Sequence, residues 1–226
     1  MTNNIIEKIS IIISIVLLYG CNDSLKNEDA IEIFYYPSGA TASQYHMTSG
    51  GKKKGEYSLY FENGKLKEKG IWKDDTTQIN EQILYYPSGV INEYHFYNII
   101  GERRFSRFFD TLGKLIEEKG DFLAYVEIKG SEIFIGDTQI VKIFVATPPE
   151  CYFEIYGIKN NKRYKAFKKT KYPYMFIWNS IMKKTGNYII PYEVEFHDRI
   201  NNTREIRKDN INYKVSPVRP HAPTHL

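Results

Sequence analysis

The sequence predicts an all-β protein: a β-hairpin repeat region followed by a β-sandwich. Three observations predict it. The chain of 226 residues is 15% aromatic, mostly through its 19 Tyr and 13 Phe, and such side chains favour pleated, half-buried surfaces. The first half repeats one strand-turn-strand unit at a nearly constant period. The second half breaks into short apolar runs separated by turn residues. With 42% hydrophobic and 26% charged residues, the composition is globular and fits one medium domain or two small ones.

Residues 1–20 read differently from the rest. Residues 1–8 are polar, and 9–18 run Ile-Ser-Ile-Ile-Ile-Ser-Ile-Val-Leu-Leu. The uncharged stretch from Ile9 to Asn22 is shorter than the roughly 20 residues a bilayer span needs, and it has the length of a signal-peptide core. It ends in Leu18-Tyr19-Gly20-Cys21, which resembles the lipobox of bacterial lipoproteins. The resemblance implies diacylglyceryl transfer to the Cys21 thiol and cleavage between Gly20 and Cys21. The new amino terminus is usually acylated too. Each buried methylene contributes roughly 0.8 kcal/mol, so more than one acyl chain anchors stably. Residues 21–30 follow as a polar tether. Of the two cysteines, Cys151 is then left without an intrachain partner, and no disulfide is expected. It reads as a small buried hydrophobe at a strand start.

The repeat comes next. Ile33-Phe34-Tyr35-Tyr36-Pro37-Ser38-Gly39 recurs as Ile83-Leu84-Tyr85-Tyr86-Pro87-Ser88-Gly89, with Leu59-Tyr60-Phe61-Glu62-Asn63-Gly64 between them. Phe108-Phe109-Asp110-Thr111-Leu112-Gly113 is a fourth, diverged copy that reads as carrying one extra residue before its glycine. The turn glycines at 39, 64, 89 and 113 are spaced by 25, 25 and 24. Each unit reads as a hairpin: an aromatic pair ends one strand, a glycine turn follows, and a second strand returns. One hairpin buries too little surface alone, so the units are expected to share an apolar seam.

Gly55-Glu56-Tyr57-Ser58-Leu59-Tyr60-Phe61-Glu62-Asn63-Gly64-Lys65-Leu66, continuing to Gly70-Ile71-Trp72, resembles the MORN-repeat variant (membrane occupation and recognition nexus) of bacterial proteins often grouped as YwqK-type antitoxins. The resemblance covers residues 31–120. It implies a stacked-hairpin architecture and, at family level, an antitoxin-like role. One member of each adjacent aromatic pair on a strand must face outward. The pairs Tyr35/Tyr36, Tyr60/Phe61, Tyr85/Tyr86 and Phe108/Phe109 therefore read either as seam packing or as an exposed stripe that would anchor a protein or sugar.

Residues 121–215 contain about seven strand-like runs, a number that suits a sandwich. In the segment from Thr185 to Asp198, which opens Thr185-Gly186-Asn187-Tyr188, Tyr188, Ile190, Tyr192, Val194 and Phe196 alternate on one face, and Glu193, Glu195 and His197 lie on the other, read as wet. This resembles the Gly-x-Tyr strand late in immunoglobulin-like domains, where a Tyr makes a corner hydrogen bond. Pro191 is expected at an edge or a bulge. Residues 216–226 are proline-rich and read as a disordered tail.

No catalytic set emerges. The five His show no metal-ligand spacing within a regular element, and there is no nucleophile elbow or phosphate loop. No metal, cofactor or catalytic residue is expected. The net charge of +4 is too small and dispersed for nucleic acid, and runs such as Lys52-Lys53-Lys54 read as solvated turns. The expectation is a non-enzymatic protein in the bacterial cell envelope. It would be lipid-anchored at the outer membrane, facing the periplasm or the surface, and would bind a protein or glycan through its repeats. Antitoxin-like neutralisation of a toxin is the alternative, and an enzyme acting on cell-wall glycan ranks behind both.

Overall fold

A computed structural model describes residues 30–129 and 132–217. Gly20, Cys21, nearly all of the tether and most of the tail lie outside the described residues. Those described form strands only, in three sheets.

The first sheet is an eight-stranded antiparallel meander in chain order. Its strands are β1 (Ala30–Tyr35), β2 (Thr41–Met47), β3 (Lys53–Tyr60), β4 (Leu66–Trp72), β5 (Gln78–Tyr85), β6 (Ile91–Tyr97), β7 (Arg103–Phe109) and β8 (Leu115–Gly120). At one end the turns share one device. The Gly39 N–H donates to the Tyr36 carbonyl (2.9 Å), and the Tyr36 N–H donates to the Ala40 carbonyl (2.8 Å). Gly39 has φ 85°, so the loop is a type I turn closed by a left-handed residue, the standard three-residue hairpin connection. Pro37 presets the backbone for the second turn position. Gly64, Gly89 and Gly113 repeat the bond pattern.

Three more tight turns, which sequence reading did not detect, close the sheet's other end at 48–52, 73–77 and 98–102; the first and last repeat the same bond pattern, and in the middle one the Thr77 N–H donates to the Asp74 carbonyl (3.4 Å). They too are 25 residues apart. Their signal is weak because the middle one has no glycine: there the Asp74 carboxylate accepts from the Thr76 and Thr77 amides instead.

The register explains the single spacing of 24. Gly55 (φ 101°) and Asn80 (φ 57°) mark equivalent left-handed bulge positions in β3 and β5. β7 has no such residue and is one residue shorter, with 7 residues against 8. No extra residue precedes Gly113. By turn geometry, Asp110 stands where Tyr36, Phe61 and Tyr86 stand, and its carboxylate accepts from the Leu112 and Lys114 amides. The pair Phe108/Phe109 is therefore one residue out of step with the other three pairs.

The sandwich pairs two sheets. The strands are β9 (Leu123–Ile128), β10 (Ile133–Phe134), β11 (Thr138–Val145), β12 (Cys151–Lys159), β13 (Lys162–Tyr164), β14 (Lys168–Lys169), β15 (Met175–Ile181), β16 (Gly186–Asp198) and β17 (Thr203–Ser216). They assort as β14-β15-β11-β9 and β10-β17-β16-β12-β13. The strands of the two sheets interleave along the chain, so the sandwich is not built from consecutive hairpins alone. The Tyr188 hydroxyl donates to the Lys184 carbonyl (2.8 Å), the corner bond expected at the start of this strand. Pro191 lies just beyond Tyr192, the last residue of β16 that pairs with β12, and sits opposite Asn210 of β17.

One core joins sheet and sandwich. Tyr94, Phe96, Phe105 and Phe109 of β6 and β7 pack with Phe122, Val145, Phe153 and Phe196. Each such side chain contributes roughly 1.5–3 kcal/mol when fully buried. A polar tie accompanies them. Arg107 of β7, 1% exposed, donates through Nε to Glu118 (2.7 Å) and through Nη2 to Asp198 at the end of β16 (2.5 Å). Its Nη1 donates to Cys151 Sγ (3.1 Å).

Candidate functional site

The sandwich covers one end of the repeat sheet. Cross-strand partners Ile33, Gln44, Ser58, Lys69, Ile83, Tyr94 and Arg107 form one row on the face that meets it. Along that row, Tyr94 and Arg107 are buried, Ile83 is half-buried and Ile33 is exposed. The face therefore emerges from under the sandwich between β5 and β3, and a cleft of about 280 Å³ opens at the step.

Its floor is Glu56, Ser58, Lys69, Ile71, Glu81 and Ile83, and its wall is Tyr172-Pro173-Tyr174 from the loop between β14 and β15. Glu56 and Glu81 occupy equivalent positions in successive units, which is how the repeat puts two carboxylates on one floor. The wall is fixed from within. Thr170 Oγ1 accepts from the Tyr172 amide (3.1 Å), and the Tyr174 carbonyl accepts from the Val145 amide (2.9 Å). Tyr174 is buried edge-on to Phe96, and Tyr172 stacks on it at 5.5 Å. The half-buried Tyr172 ring lines the cleft beside its polar floor, with the Lys171 Nζ 4.9 Å from the ring centre.

The electrostatics of the floor centre on Glu81. Burial pushes its carboxyl up to about 7, against the opposing pull of the Tyr94 hydrogen bond and the Lys69 charge. The Tyr94 hydroxyl donates to Glu81 Oε1 (2.8 Å) and accepts from the Thr147 amide (2.7 Å). The floor is thereby wired to the sandwich. A carboxyl with this value serves as donor or acceptor near neutral pH.

The opposite face carries its own polar layer. Tyr57, which donates to Glu68, also accepts from Gln78 (2.8 Å), and the Tyr97 hydroxyl donates to Gln82 (2.9 Å). Gly70 belongs to this packing, because a Cβ there would lie 2.8 Å from the Tyr57 ring.

None of the eight sequence-selected aromatics lines the cleft. Tyr35, Tyr60, Tyr85 and Phe109 are equivalent strand-end residues, running from 63% exposed at Tyr35 to 3% at Phe109. Tyr36 and Tyr86 donate their hydroxyls to the Tyr60 and Phe109 carbonyls of the next hairpin (2.6 and 2.9 Å). Phe61 lies under Lys67, and Phe108 sits between His95 and Lys119 on the opposite face. The cleft aromatics escaped sequence reading because Tyr172 and Tyr174 belong to a non-repeated loop.

Glu193 and Glu195 do not form a wet face as the sequence reading held. Both are buried, 5% exposed, beneath Arg163, which bonds Glu193 (2.9 Å) and Glu195 (2.7 Å). Arg204 also bonds Glu195; chiefly through it, the Glu195 carboxyl is held down at about 2. Glu154, Glu195 and His197 converge within 4.8 Å. A metal ion there would compete with two guanidinium groups already bonded to Glu195. Burial pushes the Cys151 thiol up to about 12, which keeps it protonated and a poor nucleophile.

Comparison of the chain with protein-family models, curated proteins and solved structures finds no match.

Proposed function

We propose that this is a lipid-anchored envelope protein that binds a glycan, without catalysis, on the uncovered face of its repeat sheet, centred on the junction cleft. The cleft's composition carries the reading: a half-buried tyrosine ring lines it beside two carboxyl groups, a lysine and a serine hydroxyl. A sugar ring offers an apolar face to the tyrosine and hydroxyls to the floor. The volume lies near the lower end of ligand pockets, roughly 300 Å³, so one ring seats there while the rest of the chain lies along the exposed sheet.

Co-sedimentation of the protein with purified cell-wall sacculi tests this. The wild type is expected to pellet with them. Tyr172→Ala and Lys69→Glu are each expected to weaken binding about tenfold, equivalent to 1.4 kcal/mol. Absence of wild-type binding, or binding indifferent to both substitutions, would overturn the glycan reading.

The anchor is tested separately by intact-mass analysis of membrane fractions. A diacyl or triacyl mass on a chain beginning at Cys21, lost in Cys21→Ala, is expected. An unmodified full-length chain in the soluble fraction would remove the envelope from the proposal. The MORN-like repeats, a resemblance drawn from sequence, favour a second reading as an antitoxin-like neutraliser. A stoichiometric toxin recovered with the protein, together with no sacculus binding, would select it.

A further inference from the structure

The repeat sheet ends in two open edges, and the repeat itself specifies what fits each. Among the described residues β1 pairs only with β2 and β8 only with β7. Every side chain of β1 is exposed, including Ile31 (58%) and Phe34 (47%), and on β8 Ile116 is 66% exposed. β1 carries no lysine or proline; its one charged side chain is Glu32, and its register shifts once, between Phe34 and Tyr35.

β1 is the repeat equivalent of β5, since Ile33-Phe34-Tyr35-Tyr36-Pro37-Ser38-Gly39 matches Ile83 to Gly89. β8 is the equivalent of β4, since Gly113-Lys114-Leu115 matches Gly64-Lys65-Leu66. Within the chain β4 pairs with β5, matching Glu68 to Leu84 and Lys69 to Ile83. We infer that β8 of one copy docks antiparallel on β1 of a second copy, repeating the β4–β5 interface between molecules.

The internal register fixes the contacts. Glu117 falls opposite Phe34 of the next copy, and Glu118 opposite Ile33. These pairings prolong existing rows, because Phe34 and Glu117 end one cross-strand row and Ile33 and Glu118 end the neighbouring one. β4–β5 shifts register at the next row, but the equivalent β2–β3 pair, Tyr45 opposite Tyr57, places Lys119 beside Glu32, joining opposite charges. Within its own molecule Lys119 pairs with the exposed Glu117 (2.9 Å) and lies over the Phe108 ring. Pairing stops at Gly120, which has φ 92° and turns the chain toward the sandwich. So short a ladder makes a weak contact. Because the two edges differ, the contact is head-to-tail and leads to open chains of molecules, not closed dimers.

Oxidative crosslinking of the full-length chain, extracted in detergent and concentrated, tests this. The double variant Phe34→Cys/Glu117→Cys should give a ladder of disulfide-linked dimers, trimers and higher species. Neither single variant should exceed the unsubstituted chain. Lys119→Glu or Glu32→Lys should each suppress the ladder several-fold, and the two together should restore it. All four positions are exposed or half-buried at sheet edges, and circular dichroism would verify that each variant folds. Self-crosslinking of Phe34→Cys alone would replace the inference with a symmetric β1–β1 pair. A folded double variant that stays monomeric at several hundred micromolar would overturn it, as would charge reversals that change nothing.

Discussion

Arg107→Met is expected to destabilise the protein by about 3–5 kcal/mol, the cost of breaking one side of a buried ion pair. Arg107 and Asp198 are both essentially fully buried, and 91 residues of chain separate them. Methionine fills much of the same space, so the loss is not chiefly a cavity. It comes from leaving the Asp198 carboxylate in the core without its guanidinium. Asp198 also accepts from the Ile200 and Asn201 amides, which shape the turn between β16 and β17. Burial pushes its carboxyl up, yet the Asn201 amide and Arg107 outweigh this and hold it below the usual range. The folded-state value is depressed. The pair's contribution is therefore present above the unfolded value, about 3.9, and is lost as pH falls through the folded one. Urea unfolding at pH 7 measures the effect. The double variant Arg107→Met/Asp198→Asn should recover a substantial part of the loss, because neither charge is then stranded. A single-variant cost below about 1 kcal/mol, the range of exposed pairs, would show that the pair does not hold the sheet on the sandwich.

Glu81→Gln is expected to remove a pH dependence of stability on the order of 3 kcal/mol. Burial lifts the native carboxyl from 4.5 to about 7. Between those values the folded protein keeps a proton that the unfolded chain has released. Stability is thus fully present below pH 4.5, falls as pH rises through 7, and levels off above it. Glutamine keeps an acceptor for the Tyr94 hydroxyl and never ionises. Relative to wild type, the variant should gain stability between pH 5 and pH 9, read from urea midpoints at the two values. An unchanged difference between the proteins at both pH values would mean that Glu81 titrates normally and that the cleft floor is well hydrated.

The strand content, the hairpin period and the corner tyrosine were legible from the chain alone, because each rests on neighbours. A glycine at the fourth turn position, a proline at the second, or a side chain alternating along β16 acts within a few residues, and local sterics decide the outcome. The same locality hid the second set of turns, where Asp74 does the work of a glycine. It also hid the narrower bulge in β7, which made Phe108/Phe109 resemble a repeat pair one residue out of step. The sequence by itself therefore determined an all-β chain of period-25 hairpins followed by a sandwich. Only the tertiary structure decided where the sandwich stops on the sheet. That placement buries Arg107 on Asp198 and brings Tyr172 and Glu81 to one cleft. Their juxtaposition depends on packing and charge between segments some 90 residues apart, which no local pattern encodes.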